Sequence, residues 1–281
     1  MLKLGEFNDF IVKRKSDLGY VLEKDDEEIF LHQKQACGVV LNPGDMISAF
    51  LLKDSQNRLC ATLEDVKITL NKFALLDVVS VKENVGVFVS INVFKDILVE
   101  ADELPRDFSI WPQLGDKLLV RLVLKKGRLA GKLLKKDEMK TLNNNFKNYE
   151  LGQSYQAYVT YYSDKAVNLI TDDFVHVYVP VKNFKEKYHL GELVNILIIG
   201  FHDDELVASL NKIKEEEVLD DEVLILDYLK KHNGKMNITA KTDSETIEKE
   251  FHLSRKAFKR ALGSLYKQQK IKCLDNETIL L

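Results

Sequence analysis

Pro43-Gly44-Asp45, an alternating run from Met46 to Lys53, a polar turn and Arg58-Leu59-Cys60-Ala61-Thr62-Leu63 form the stretch on which the reading of this chain turns. The same order returns as Leu114-Gly115-Asp116, Lys125-Lys126-Gly127 and Arg128-Leu129-Ala130-Gly131-Lys132-Leu133. It returns a third time, weakened, as Leu190-Gly191-Glu192, His202-Asp203-Asp204 and Glu205-Leu206-Val207-Ala208-Ser209-Leu210. The three glycines stand 71 and 76 residues apart. A solenoid unit borrows its core from a neighbour and repeats every 20 to about 50 residues, so this period is too long for one and suits a small barrel that closes on itself.

Outward from each glycine lie runs of β-branched and aromatic residues at period two. The first copy has Phe10-Ile11-Val12, Gly19-Tyr20-Val21-Leu22 and Glu28-Ile29-Phe30-Leu31-His32; the second has Leu75 to Val81, Gly86 to Val89 and Asp96 to Val99. The third has Tyr155 to Val159, Ala166 to Ile170 and Val175 to Val179. Such alternation, broken by polar turns, marks half-buried strands. After each glycine a long alternating run hairpins into a fifth strand. The glycine supplies a positive backbone torsion at a tight corner, and the small residue of the fifth strand (Ala61, Gly131, Ala208) lets crowded strands approach between its flanking leucines. Five strands in about 65 residues make a Greek-key barrel of the oligonucleotide/oligosaccharide-binding (OB) kind.

Past Leu210 the pattern changes period. Val218, Val223, Leu224, Leu226 and Leu229 recur at helical spacing and stop at Asn233-Gly234, a left-handed cap. A short run from Lys235, a helix opened by Asp243 or Ser244, a turn at His252-Leu253, a helix capped by Ser254 and a hairpin around Asp275-Asn276 follow. That order is a winged helix-turn-helix. The fold expected is therefore mainly β and multidomain: three tandem OB barrels over 1–68, 69–138 and 148–212, then an α+β winged helix over 216–281, with 142–148 joining barrels two and three.

Composition narrows the setting. At 281 residues, 45% apolar and 30% charged, with four prolines, the chain suits several globular domains. Three unpaired-looking cysteines (Cys37, Cys60, Cys273) argue against a disulfide framework and read as small packed thiols. The first residues lack the basic start and apolar run of a signal peptide, and no stretch nears the roughly 20 apolar residues of a membrane span, so the cytoplasm, away from any membrane, is the expected compartment. The net charge of −3 hides a strong local asymmetry. Ten acidic side chains crowd Asp203 to Asp227 against Lys212 and Lys214, whereas twelve basic ones lie between Leu229 and Leu274 against four acidic. A basic segment of this kind attracts phosphate whatever the total charge.

No phosphate-binding glycine loop, paired cysteines, His-Glu-x-x-His or nucleophile elbow is present. Asp172-Asp173 and Asp203-Asp204 fall in expected turns, where solvated acids are the ordinary outcome, and His176, His189 and His202 belong to the weak third copy. No catalytic residue, metal ligand or cofactor is expected.

The order strand, Gly-aromatic strand, short strand ending at His32, Pro-Gly-Asp, alternating strand and Arg-Leu-x-Ala resembles the S1 RNA-binding domain, in three copies over residues 1 to 212. The three copies together with a winged helix carrying Ser254-Arg-Lys-Ala-Phe-Lys-Arg-Ala-Leu-Gly-Ser-Leu-Tyr-Lys resemble the bacterial conserved virulence factor B family. This implies a cytoplasmic, non-catalytic RNA-binding protein that acts on gene expression after transcription. In S1 domains aromatics near the second strand and a histidine closing the third meet a basic rim, and bases stack on that platform. Carried over, this gives Tyr20, Phe30 and His32 with Lys13, Arg14 and Arg58 in the first copy, and Phe88 with Arg121, Lys125, Lys126, Arg128 and Lys132 in the second. Glu100 stands at the histidine position of the second copy. In the third, Lys165-Ala166 replaces the Gly-aromatic pair and Pro180 the histidine, which leaves a spacer or an interaction surface. In the winged helix, Phe258, Leu262 and Leu265 form the buried stripe and Arg255, Lys256, Lys259, Arg260 and Lys267 the basic face that can enter a groove. The partner implied is single-stranded RNA, with duplex nucleic acid through the winged helix. The alternatives are a DNA-binding transcription regulator using 215–281 and a scaffold on the ribosome or on RNA-processing and degradation proteins.

Overall fold

The structure, a computed structural model, describes residues 1–143, 145–202, 205–210 and 214–281, with 214–220 described by backbone alone. Asn144, the Asp203-Asp204 turn, the end of the third expected barrel at 211–212, residue 213 and the Val218 side chain lie outside it. Two units divide the chain, Met1–Leu210 and Asn211–Leu281.

The first unit holds three closed five-stranded barrels. Barrel 1 is β1 (Phe7–Ser16), β2 (Gly19–Lys24), β3 (Glu27–His32), β4 (Met46–Lys53) and β5 (Leu59–Thr62). Barrel 2 is β6 (Phe73–Lys82), β7 (Gly86–Val89), β8 (Ile97–Glu100), β9 (Lys117–Lys125) and β10 (Arg128–Leu133). A one-turn helix, α1 (Lys136–Lys140), leads to barrel 3: β11 (Ser154–Ser163), β12 (Ala166–Ile170), β13 (His176–Pro180), β14 (Leu193–His202) and β15 (Glu205–Ser209). Around each barrel the strands run first, second, third, fifth, fourth. The third and fifth strands pair in parallel and all other neighbours antiparallel.

The repeated Gly-acid pair has the same task in every copy. Gly44, Gly115 and Gly191 take φ of 94°, 92° and 81°, the left-handed region that favours glycine. Their N–H groups donate to Val12 O, Val78 O and Val159 O at 2.7–3.0 Å. The same three valines donate back to the carbonyls of Asp45, Asp116 and Glu192. Each acid's carboxylate then accepts the N–H three residues before it: Asn42 to Asp45 (2.7 Å), Gln113 to Asp116 (2.6 Å) and His189 to Glu192 (2.9 Å). Directly after each valine the first strand carries a β-bulge, at Lys13, Val79 and Thr160. A bulge bends and twists the strand, which is what a five-stranded barrel needs to close.

Ala61, Gly131 and Ala208 face the interiors. A Cβ on Gly131 would stand 2.7 Å from Val99 Cγ2 and 2.8 Å from Val120 Cγ1, so this barrel accepts nothing larger. Phe10, Leu22, Ile29, Leu31 and Leu51 fill barrel 1. Their strand neighbours Phe50 and Leu52 point outward and are nonetheless buried, in one apolar cluster with Ile68, Ile91, Val93 and Leu122. Burial of each such side chain contributes about 1.5–3 kcal/mol, which fixes barrel 1 against barrel 2.

The second unit is α2 (Lys214–Lys231), β16 (Lys235–Met236), α3 (Ser244–Phe251), α4 (Arg255–Lys267), β17 (Ile271–Cys273) and β18 (Thr278–Leu280), with a sheet ordered β16-β18-β17. Asp243 caps α3 by accepting from Thr246 N, and Ser254 caps α4 by accepting from Ala257 N. Ile247, Phe251, Phe258, Ala261, Leu262 and Leu265 form the core with Ile225 and Leu229 of α2. All three cysteines are unpaired, and no helix among the described residues is long and apolar enough to cross a membrane.

A candidate nucleic-acid interface

Register decides which side chains share the outer face of each barrel. Gly19 stands opposite His32, Gly86 opposite Glu100 and Ala166 opposite Pro180. Counting from there, Val21, Phe88 and Asn168 occupy one position, Phe30, Leu98 and Tyr178 the next, and Cys60, Ala130 and Val207 a third. Arg128 and Glu205 begin their fifth strands on that face, and Arg58 stands at the same position immediately before β5. At Gly19 a Cβ would lie 2.2 Å from Leu31 O, and at Gly86 2.1 Å from Val99 O. The two strands cross too closely there for any side chain in barrels 1 and 2.

In barrel 1 this face is a cleft of about 360 Å³ lined by Phe30, His32, Lys34, Gln35, Asp54, Arg58, Cys60, Ala61 and Phe94. The rings of Phe30 and His32 meet edge to face with centroids 6.1 Å apart. His32 Nδ1 accepts the Lys34 backbone N–H (3.1 Å), capping the 3-10 turn Gln33–Ala36. That bond orients the ring and leaves Nε2 to carry the proton of the neutral imidazole. Arg58 is held by Asp54 (2.7 Å) at the rim. Burial pushes the Cys60 thiol up to about 11, with the nearby Asp54 charge adding to it, so this sulfur stays protonated and packs as an apolar group.

Tyr20 is corrected from this face to the core. It pairs with Leu31, is 4% exposed, and its hydroxyl accepts from Leu41 N (3.4 Å) and donates to Val39 O (3.5 Å). The position equivalent to Phe88 is Val21, one residue on, and one residue along a strand reverses the face. Barrel 3 carries the same slip: Ala166, not Lys165, stands at the glycine position. Lys13 is the bulge residue, bonded to Glu23 (2.6 Å) and Glu28 (2.9 Å), and Arg14 lies 3.8 Å from Glu28. Both are drawn to acids on β2 and β3 and away from the cleft lining.

Barrel 2 has a second cleft of about 520 Å³. Phe88, Leu98, Glu100, Lys125, Lys126, Arg128 and Ala130 line it together with Lys53 and Asn57 of barrel 1. Lys82 Nζ lies 5.3 Å from the Phe88 ring centroid. Lys125 pairs with Glu100; Lys126 and Arg128 are exposed, and among the described residues neither has an ion pair. Arg121 and Lys132 lie elsewhere. Arg121 pairs with Glu138 of α1 (2.9 Å), and Lys132 lines a separate hollow with Leu104, Tyr161 and Leu190. The basic run of the β9–β10 hairpin is thereby split between two sides.

In barrel 3 the chain covers the corresponding face itself. Lys136 Nζ lies 5.6 Å from the Tyr178 centroid, Lys140 pairs with Glu205, and Met139 is buried against Tyr158 and Ile170. Beneath α1, His176 is 1% exposed, with Nε2 donating to Asn168 Oδ1 (3.1 Å) and Nδ1 3.6 Å from Glu205. Burial, with Lys136 and Lys140 beside it, holds this imidazole well below the usual histidine range despite Glu205.

In the winged helix Arg255, Lys256, Lys259 and Lys267 are exposed along α4. Arg260 turns toward α2, where Asp221 lies 3.7 Å away and is 8% exposed. Arg260 is itself exposed, so it keeps its place on the basic face while this contact ties it to α2. Among the described residues no three His, Cys, Asp or Glu side chains gather as a metal would require.

Three OB-like five-stranded barrels in series, followed by a winged helix, define the class of this chain. A CvfB-like winged helix domain matches residues 223–280, a CvfB first S1-like domain residues 73–132, and an S1 domain residues 4–64. The uncharacterized protein YitL of Bacillus subtilis is 30% identical over 262 residues, covering 92% of this chain and 88% of its own. Conserved virulence factor B of Staphylococcus epidermidis is 28% identical over 258 residues, covering 87% and 83%. A crystal structure of a multidomain protein with nucleic acid binding domains from Streptococcus pneumoniae matches with a TM-score of 0.63 and 27% identity over 99% of this chain and 98% of that one. The chain belongs to the conserved virulence factor B family.

Proposed function

We propose that this protein is a non-catalytic, cytoplasmic RNA-binding regulator of gene expression, which holds single-stranded RNA on barrels 1 and 2. The Phe30–His32 ring pair in a cleft rimmed by Lys34 and Arg58 is the observation that carries this reading. Stacked bases need flat, partly exposed rings, and a track that accepts any sequence needs basic groups at the rim for phosphate. Barrel 2 offers the same pairing of elements in Phe88 with Lys126 and Arg128. The exposed lysines of α4, with Arg255, give the winged helix a surface for duplex segments or for the phosphate backbone. A relative from Streptococcus pneumoniae described as having nucleic acid binding domains supports the class of ligand.

Titration of a labelled oligouridylate of about twelve nucleotides, followed by anisotropy at low and moderate salt, tests the proposal. Salt-sensitive binding by the full chain that Phe30→Ala/His32→Ala weakens is the expected result. Preference for duplex DNA, lost in Lys256→Glu/Lys259→Glu, would place the function in the winged helix instead.

A further inference from the structure

Phe94 is an apolar ring that the barrel to which it belongs does not bury. It is 43% exposed, sits between β7 and β8 of barrel 2, and lines the cleft of barrel 1 beside Phe30 and His32. Its position is fixed by its neighbours. Lys67 N donates to Ile91 O (3.0 Å), Asn92 Nδ2 to Asp65 O (2.7 Å), and Phe94 N to Glu64 Oε2 (2.9 Å). The next residue, Lys95, donates to Lys53 O (2.7 Å) and Asp54 O (3.0 Å) of the β4–β5 turn and lines the barrel 2 cleft. That turn is a shared wall, with Asp54 and Arg58 in the first cleft and Lys53 and Asn57 in the second. On its far side Lys53 Nζ donates to Gly127 O (2.9 Å) of the β9–β10 turn.

We propose that barrels 1 and 2 form one composite site for a single strand, in which Phe94 is the stacking ring at the junction and Lys95 clamps the shared wall. The proposal rests on the reading of the two barrels as RNA platforms and adds their order: Phe30 and His32, then Phe94, then Phe88 with Lys126 and Arg128. The backbone that carries this exposed ring is held by bonds of its own and of its neighbours, so presenting the ring to a base costs little backbone ordering. A strand that engages both clefts gains from the second as an intramolecular event, which two separate sites with two separate strands would not show.

The test uses the full chain and two oligouridylates, one of about four and one of about twelve nucleotides, chosen to fill one barrel or both. Phe94→Ala is expected to weaken the longer strand about tenfold, in line with the loss of one stacked base, with Phe94→Tyr restoring it and the thermal midpoint unchanged in both. One long strand per chain is the expected stoichiometry. Wild-type affinity of Phe94→Ala for the long strand, with Phe30→Ala still defective, overturns the composite site and leaves the RNA reading standing. Two long strands bound per chain overturns it as well. Failure of Phe30→Ala and Phe94→Ala alike to alter binding removes both readings.

Discussion

Tyr20 and Phe30 are aromatic residues on adjacent strands with opposite fates, and the difference between them is one position of register. Tyr20 lies inside with Leu22, Leu31 and Leu51, while Phe30 is half-buried on the outer face. Tyr20→Ala should therefore cost about 3–5 kcal/mol of unfolding free energy, as for other buried aromatics, and Tyr20→Phe about 1 kcal/mol for its hydroxyl bonds. Urea titration of both variants checks this. Phe30→Ala should do the reverse, leaving the urea midpoint within a small shift and weakening RNA about tenfold by anisotropy. The sequence shows which residues alternate but not where a strand begins its alternation, because Gly19-Tyr20-Val21-Leu22 is apolar throughout and all four residues are buried. The positions of His32 and Glu100 were legible from the S1 resemblance, as the residues that close the third strands, and in the structure each directly faces a glycine. The place of Phe94 was not legible, because the residues it meets in the first cleft come from the barrel before it.

At the scale of an element, the legible features were those set by local chemistry. The Gly-acid pair, the small residue of the fifth strand, the Asp243 and Ser254 caps and the left-handed Asn233-Gly234 corner all act within a few residues of themselves. Gly19→Ala should destabilise barrel 1 by at least about 1–3 kcal/mol, because the added Cβ meets backbone that cannot move aside, whereas Gly38→Ala, with nothing within 4 Å, carries only the strain of its φ of 80°, about 1–2 kcal/mol. Comparison of the two melting curves separates the effects. Helix α1 was hidden, since a five-residue helix takes its stability from what it lies on and not from its own pattern. Under it, His176 resists a proton that the unfolded chain takes up near pH 6.5. Stability of the first unit should fall as the pH drops from that value towards about 4, and His176→Gln, which can still donate to Asn168, should flatten the fall in urea midpoints measured across this range.

On the whole-molecule scale, charge placement outweighs charge count. The −3 total and the basic stretch of the β9–β10 hairpin and its exit say little by themselves, because Arg121, Lys125, Lys136 and Lys140 are all engaged within the protein. Lys126 and Arg128 remain as the exposed cations of the second cleft. Lys126→Gln/Arg128→Gln should lower the salt slope of single-strand binding by about 0.7 for each phosphate that these two cations neutralise, measured as log affinity against log salt. Neutralising Arg121, bound to Glu138, should leave the slope unchanged and weaken the packing of α1 instead.

The lining of barrel 3 by α1 separates copy number from valence. On the proposed reading a chain with three copies of one fold presents two open platforms, since the corresponding face of the third already holds Lys136 and Lys140 of the preceding linker against Tyr178 and Glu205. Affinity should then climb with strand length up to the span of two barrels and level off, instead of rising in a third step. Repetition in this molecule sets a ruler of fixed length, and its last division is closed.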